Sequence, residues 1–99
     1  MQYNFEWDPS KAKSNLRKHG VAFEAAAEVF GDPLALTVFD DENSVSGEDR
    51  WVTLGKVKDQ CYLVVVHTFR SADGDSITIR IISARPATRN EVLQYENGD

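Results

Sequence analysis

The sequence predicts an α+β domain with a four- to five-stranded antiparallel sheet, two N-terminal helices and one C-terminal helix. Three observations lead there. The apolar runs change period in the order β-α-α-β-β-β-β-α. The last four strand-like runs are joined by short loops, the connection that an antiparallel meander allows. Residues that start and stop helices frame the helical stretches. A chain of 99 residues makes one domain, residues 1–99, which buries roughly two thirds of the surface its unfolded form exposes.

Tyr3-Asn4-Phe5-Glu6-Trp7 alternates aromatic and polar residues and reads as a short half-buried strand. Asp8-Pro9 is an N-cap followed by proline at the first helical position, so a helix runs from Pro9 to about His19 and stops at Gly20. Ala12, Asn15, Leu16 and His19 share one face, while Lys11, Lys13, Arg17 and Lys18 cover most of the rest. Phe23, Ala26, Ala27 and Phe30 repeat the helical spacing, ended by Gly31 and Pro33. Strands follow over Leu34 to Phe39, Arg50 to Val57, Cys61 to Arg70 and Ser76 to Arg85. Asp40 to Asp49 is a polar loop, and Asp73-Gly74 is the strongest hairpin signal in the chain. Thr88-x-x-Glu91 ahead of Val92 and Leu93 is a capping box, which starts a last helix at about Arg89 and carries it to Tyr95.

Composition narrows the class. Hydrophobic residues at 41% and charged residues at 27% are ordinary for a globular protein, and no apolar run approaches the ~20 residues that span a bilayer. Met1 to Glu6 lacks the basic and apolar regions of a secretory signal. Cys61 is alone, so no internal disulfide forms, and its apolar strand predicts a small buried thiol. These features predict a cytoplasmic protein without a membrane partner. The net charge of −5 opposes simple nucleic-acid binding, yet the charge is polarised. Residues 40–49 hold five acids and no base, whereas residues 50–90 hold seven cations against three aspartates. A focused basic surface can exist on such a chain.

Arginines end or interrupt β-prone runs that need no charge to fold. Arg70 closes Leu63-Val64-Val65-Val66-His67-Thr68-Phe69, and Arg80 and Arg85 punctuate Ile77 to Pro86. A guanidinium is a fixed fork of donors suited to phosphate or carboxylate. Edge charges that keep sheets apart are the plain alternative. Three arginines in one hairpin with His67 nearby point to an anion site. Regular alternation places Ser83 and Arg85 with Ile77, Ile79 and Ile81, Arg80 with Thr78 and Ile82, and Arg70 on the face opposite His67. A flat sheet cannot gather all four without twist or a bulge.

Phe5-x-Trp7-Asp8-x-x-Lys11-x-x-x-Asn15-x-x-Lys18-His19-Gly20-Val21-x-Phe23 resembles the opening of the BrnT toxins. The likeness continues through Val29-Phe30-x-Asp32-Pro33, Glu48-x-Arg50, Gly55, the Leu63 to Val66 run, Arg70, Ile79-Arg80-Ile81-Ile82-Ser83-Ala84-Arg85, Ala87, Glu91 and Tyr95. The chain departs from that pattern at Asn43-Ser44-Val45-Ser46-Gly47, where a histidine is expected and none stands. The resemblance implies a fold similar to RelE-type toxins, cleavage of RNA, and a BrnA-like antitoxin that binds the toxin in a hetero-oligomer. That antitoxin would bring the DNA-binding part, so operator DNA would be met only through it.

RNA cleavage without a metal requires activation of a 2′-hydroxyl, stabilisation of charge on the phosphorane and a proton for the departing 5′-oxygen. Glu48 is the best carboxylate for the base, with a solvated pair to Arg50 as its plain alternative. His67 could move protons or be a bonded core histidine. Arg85, at the strand end before Pro86, leads as phosphate clamp, followed by Arg70. Lys18, His19, Arg50, Arg80, Ser83 and Tyr95 complete the candidate RNA-binding set, although His19 also suits a helix C-terminus and Tyr95 a core position. No metal-ligand motif, glycine-rich phosphate loop or dinucleotide fingerprint occurs, so no cofactor is expected. A non-catalytic module, whose arginines hold an acidic antitoxin or peptide, is the alternative from a different class.

Overall fold

The computed structural model describes residues 2–42, 44, 48–71 and 74–98. Part of the acidic loop (Asn43, Val45, Ser46, Gly47) and Asp73 of the expected hairpin turn lie outside the described residues. The order is β1 (Gln2–Glu6), α1 (Pro9–His19), α2 (Phe23–Ala26), a 3₁₀ turn (Ala27–Gly31), β2 (Leu36–Phe39), β3 (Trp51–Lys56), β4 (Tyr62–Ser71), β5 (Ser76–Pro86) and α3 (Arg89–Asn97). The five strands form one sheet in the order β1-β5-β4-β3-β2.

The helix ends form as their residues dictate. The Ser10 N–H donates to Asp8 Oδ1 at 2.8 Å, Pro9 opens α1, and Gly20 closes it at φ +70°. Thr88 and Glu91 make the reciprocal capping box of α3. The second helical stretch is one α-turn that tightens into a 3₁₀ turn at Ala27.

β2 to β5 are antiparallel, but β1 runs parallel to β5, pairing Gln2–Glu6 with Ser76–Arg80. The sheet is therefore mixed rather than antiparallel throughout. The direction of β1 follows from α1. Beyond Arg80, β5 has no strand on that side, and α1 runs alongside it. Asn15, 6% exposed, takes the place of a strand partner. Its Oδ1 accepts from the Ala84 N–H at 3.1 Å, and its Nδ2 donates to the carbonyls of Ala84 at 2.8 Å and Val21 at 3.0 Å. β1 thus pairs the first half of that edge of β5, and Asn15 of α1 satisfies the Ala84 backbone in the second half.

The core fills the space between α1, α2, the 3₁₀ turn and one sheet face, where Phe23, Ala26, Val29, Val65, Ile79, Ile81 and Ala84 are buried. Gly55 lies against Val29 so closely that an added Cβ would sit 2.8 Å from the Val29 Cβ. α3 covers part of the opposite, outer face, over Leu54 and Val64. Cys61 is exposed in the turn before β4 rather than buried in a strand, because the turn extends through Gln60 at φ +64° to the Val57 N–H bond to the Cys61 carbonyl.

Candidate active site

Strand register decides which arginines meet. Val66 pairs with Ser83, but His67 pairs with Ile81, so Ile82 is a bulge residue. That extra residue reverses the alternation beyond it. Ala84 joins Ile81 on the core face, and Ser83 and Arg85 turn to the outer face, contrary to simple alternation. Arg70, Arg80 and Arg85 therefore share the outer face, with His67 behind them.

The outer face has two halves. At the Arg70 end lies an open polar cleft of about 500 Å³ lined by Glu6, Glu48, Asp49, Thr68, Phe69, Arg70, Thr78 and Arg80. Arg70 Nη2 lies 3.3 Å from Glu6 Oε1, and Arg80 Nη1 lies 3.0 Å from Glu6 Oε2. One carboxylate thus spans two guanidiniums from neighbouring strands, each spending a single N–H on it. The arginine side chains are 70% and 47% exposed, so their remaining donors face solvent. Across the cleft, Glu48 pairs loosely with Arg50 at 3.5 Å. The Arg50 backbone is fixed where its N–H donates to Ser44 Oγ and its carbonyl accepts from the Asp40 N–H, while its Nε is buried with no partner among the described residues.

At the other end of β5, roughly 15 Å from Arg80 at strand rise, Arg85 meets α3. Its two Nη atoms bind Glu91 bidentately at 2.8 and 2.9 Å, and Nη1 also donates to the Pro86 carbonyl. Those bonds are the largest influence holding the Glu91 carboxyl down to about 2, and they raise the Arg85 pKa. Arg85 is thus committed to a structural pair and stands outside the cleft.

His67 is fully buried between Phe30 and Phe69, both rings 4.7 Å away and edge-on. Its Nε2 is 2.7 Å from Thr53 Oγ1, which in turn bonds Thr37 Oγ1 at 2.9 Å. Burial pushes its pKa down to about 4. The sheet separates it from the cleft, so it has no route to a substrate there.

The remaining candidates are dispersed. Lys18 and His19 are exposed at the C-terminal end of α1, Ser83 is half-buried on the outer face, and Tyr95 donates to Asp32 Oδ2 at 2.7 Å. That bond to the carboxylate, with burial, pushes the Tyr95 hydroxyl up to about 12. The cleft gathers Glu48, Arg70 and Arg80, with Arg50 outside its lining but paired to Glu48, and adds Glu6, Asp49, Thr68 and Thr78, which sequence reasoning missed. The alternation of Glu6 with Phe5 was visible, but its place beside Arg80 depends on the parallel pairing of β1. Among the described residues, no three His, Cys, Asp or Glu side chains gather to hold a metal ion.

The chain and its fold have counterparts among known proteins. The family model described as "Ribonuclease toxin, BrnT, of type II toxin-antitoxin system" matches residues 7–91. The chain belongs to the BrnT family. The crystal structure of the Brucella abortus ribonuclease toxin BrnT is similar in fold, with a TM-score of 0.61 at 19% identity. The alignment covers 90% of this chain and all of that one. No curated protein matches. The match runs from Trp7, just after β1, into the first turn of α3, so both strands that carry the cleft arginines lie within it. The BrnT family is one of ribonuclease toxins of type II systems, whose toxins are partnered by antitoxins. No helix among the described residues is long and apolar enough to cross a membrane.

Proposed function

We propose that this chain is itself an active endoribonuclease toxin, which cleaves RNA without a metal ion and arrests growth in the cytoplasm until a BrnA-like antitoxin covers the cleft. The observation that supports this reading is the convergence of Arg70 and Arg80 from neighbouring strands on one open cleft with Glu48 at its rim. Two guanidiniums side by side suit a phosphodiester, and both carry donors not used by Glu6. Glu48 takes the proton of the 2′-hydroxyl. The 2′-oxygen then bonds to phosphorus, the bond from phosphorus to the 5′-oxygen breaks, and the leaving oxygen takes a proton from water in the open cleft. The products are a 2′,3′-cyclic phosphate and a 5′-hydroxyl. Arg70 and Arg80 stabilise the charge on the phosphorane.

Glu6 keeps the like-charged guanidiniums together. Removing one phosphate-binding arginine should lower the rate about 10²- to 10³-fold, and removing the base about 10²- to 10⁴-fold. The antitoxin and the toxin form a hetero-oligomer, which meets operator DNA through the antitoxin alone.

The test is induced expression of wild type, Arg80→Ala and Glu48→Gln, with and without the antitoxin gene, beside cleavage of RNA by the purified proteins. Growth arrest by wild type, rescue by the antitoxin and loss of both arrest and cleavage in folded variants support the reading. A harmless, well-expressed wild type that binds antitoxin but leaves RNA intact makes the chain a binding module. The sharing of both arginines by Glu6 is the observation that favours that second reading, since part of their charge is already met.

A further inference from the structure

The helix α1 carries Lys11, Lys13, Arg17 and Lys18 and no acid, in a chain whose net charge is −5. All four cations are exposed, and none takes part in an ion pair among the described residues. The fold does not explain them. Helix dipoles favour acids in the first turn, yet that turn holds Lys11 and no acid beyond the Asp8 cap. Lys13 and Arg17 stand four apart, where like charges repel. Packing uses the other side, through Asn15 and the half-buried Ala12. A solvated helix face is ordinarily mixed in sign, and this one is not.

Its position gives the charge a use. Glu6 lines the cleft, and Pro9 begins α1 three residues later, at most about 10 Å away. From there α1 runs about 16 Å in all, and Asn15, about 9 Å along it, meets β5 at Ala84. A cationic edge therefore starts within about 10 Å of the Glu6 end of the cleft and leads away from it.

We infer that the solvent face of α1 is a binding track for the phosphodiester backbone of single-stranded RNA flanking the cleaved bond. This rests on the ribonuclease reading for the identity of the cleft, but the binding it describes does not require cleavage. A local run of four cations also overcomes the repulsion that an acidic protein exerts on a polyanion.

The experiment compares wild type with a variant carrying Lys11→Gln, Lys13→Gln, Arg17→Gln and Lys18→Gln. Single-stranded RNA binding is measured across salt concentrations, and cleavage is measured on a dinucleotide and on an oligonucleotide of about a dozen residues. Losing four phosphate contacts should flatten the slope of log K against log salt by about 2.8, at about 0.7 per contact. KM on the long substrate should rise at least tenfold with kcat unchanged, and dinucleotide cleavage should stay as in wild type. An Arg70→Ala/Arg80→Ala variant should keep most of its salt-dependent binding, a second arm that does not depend on how the α1 variant folds. Equal slopes in wild type and the α1 variant overturn the inference. So does a variant that cleaves long RNA normally but escapes the antitoxin, which would make α1 a protein-binding face. If wild type cleaves neither substrate, the ribonuclease reading fails, while the salt slopes still decide whether α1 binds RNA.

Discussion

Replacing Asn15 by alanine should cost about 3 kcal/mol of stability. The side chain makes three buried hydrogen bonds, two to the backbone of Ala84 and one to the Val21 carbonyl. Each contributes about 1 kcal/mol net, and losing them leaves an N–H and two carbonyls to desolvate without partners. Ala84 is 1% exposed, so water has little access to replace the amide. In a domain of 99 residues, about 3 kcal/mol lowers Tm by about 12–24 °C. Asn15→Asp sharpens the test. A carboxylate still accepts from the Ala84 N–H but meets two carbonyls it cannot donate to. Its folded pKa should be raised, so the variant's deficit relative to wild type should be larger at pH 7 than at pH 4, where the protonated acid regains a donor. Urea denaturation of both variants, with the m-value checked for constancy, reads the effect. A loss below about 1 kcal/mol for Asn15→Ala, or wild-type stability for Asn15→Asp at pH 7, would refute the claim that one side chain substitutes for a strand partner.

Three other predictions follow from the packing and titration. Gly55→Ala should cost about 1–3 kcal/mol, since its Cβ would press on both the Cβ and the Cα of Val29, and a change within about 0.5 kcal/mol in thermal unfolding would show that the contact relaxes freely. His67, held down to about 4 by burial, refuses a proton that the unfolded chain accepts below about 6.5, so stability should fall by up to about 3 kcal/mol as pH drops from 6.5 to 4. His67→Gln should remove that slope and leave RNA cleavage intact. An unchanged slope would assign the titration elsewhere, and lost cleavage in a stable variant would return His67 to the chemistry. Glu91, held down to about 2 chiefly by Arg85, stabilises the fold above its ordinary 4.5, and that contribution disappears as pH falls from 4.5 to 2. A double-mutant cycle of Arg85→Ala and Glu91→Gln at pH 7 should give a coupling of about 1 kcal/mol for this partly exposed pair, and a coupling near zero would show the bridge to be incidental.

Local signals were legible, and so the elements were. Asp8-Pro9 and Gly20 bounded one helix, Thr88 and Glu91 opened another, and β-branched runs marked the strands, because caps and alternation depend on neighbours in the chain. The second helix was half right: Phe23 and Ala26 are helical, but the 3₁₀ turn that follows is set by Val29 seating on Gly55, a tertiary contact. The site was less legible for the same reason. Glu48, Arg70 and Arg80 were chosen for their chemistry, and the fold brings them to one cleft, with Arg50 paired to Glu48 beside it. Glu6 needed the parallel pairing of β1, and Arg85 needed the bulge at Ile82 to leave the core face and the capping carboxylate of Glu91 to hold it. Nothing within a few residues of either position encodes those facts.

The bulge and α3 together account for where the cleft opens. Without the extra residue at Ile82, Arg85 would point among Ile81 and Val65, where an unpaired guanidinium is untenable. With it, all three arginines face outward, and the surface they share must be divided. α3 covers the half over Leu54 and Val64, tied down by Arg85–Glu91, Tyr95–Asp32 and Tyr62–Glu96. Each tie joins α3 to a different part of the body: the end of β5, the turn after the 3₁₀ segment and the start of β4. Arg85 thus fastens the cover, and Arg70 and Arg80 remain at the uncovered end, their exposed donors held in register by Glu6. Three arginines that look equivalent in sequence are separated by one bulge residue and one helix into a fastener and a pair that faces the open cleft.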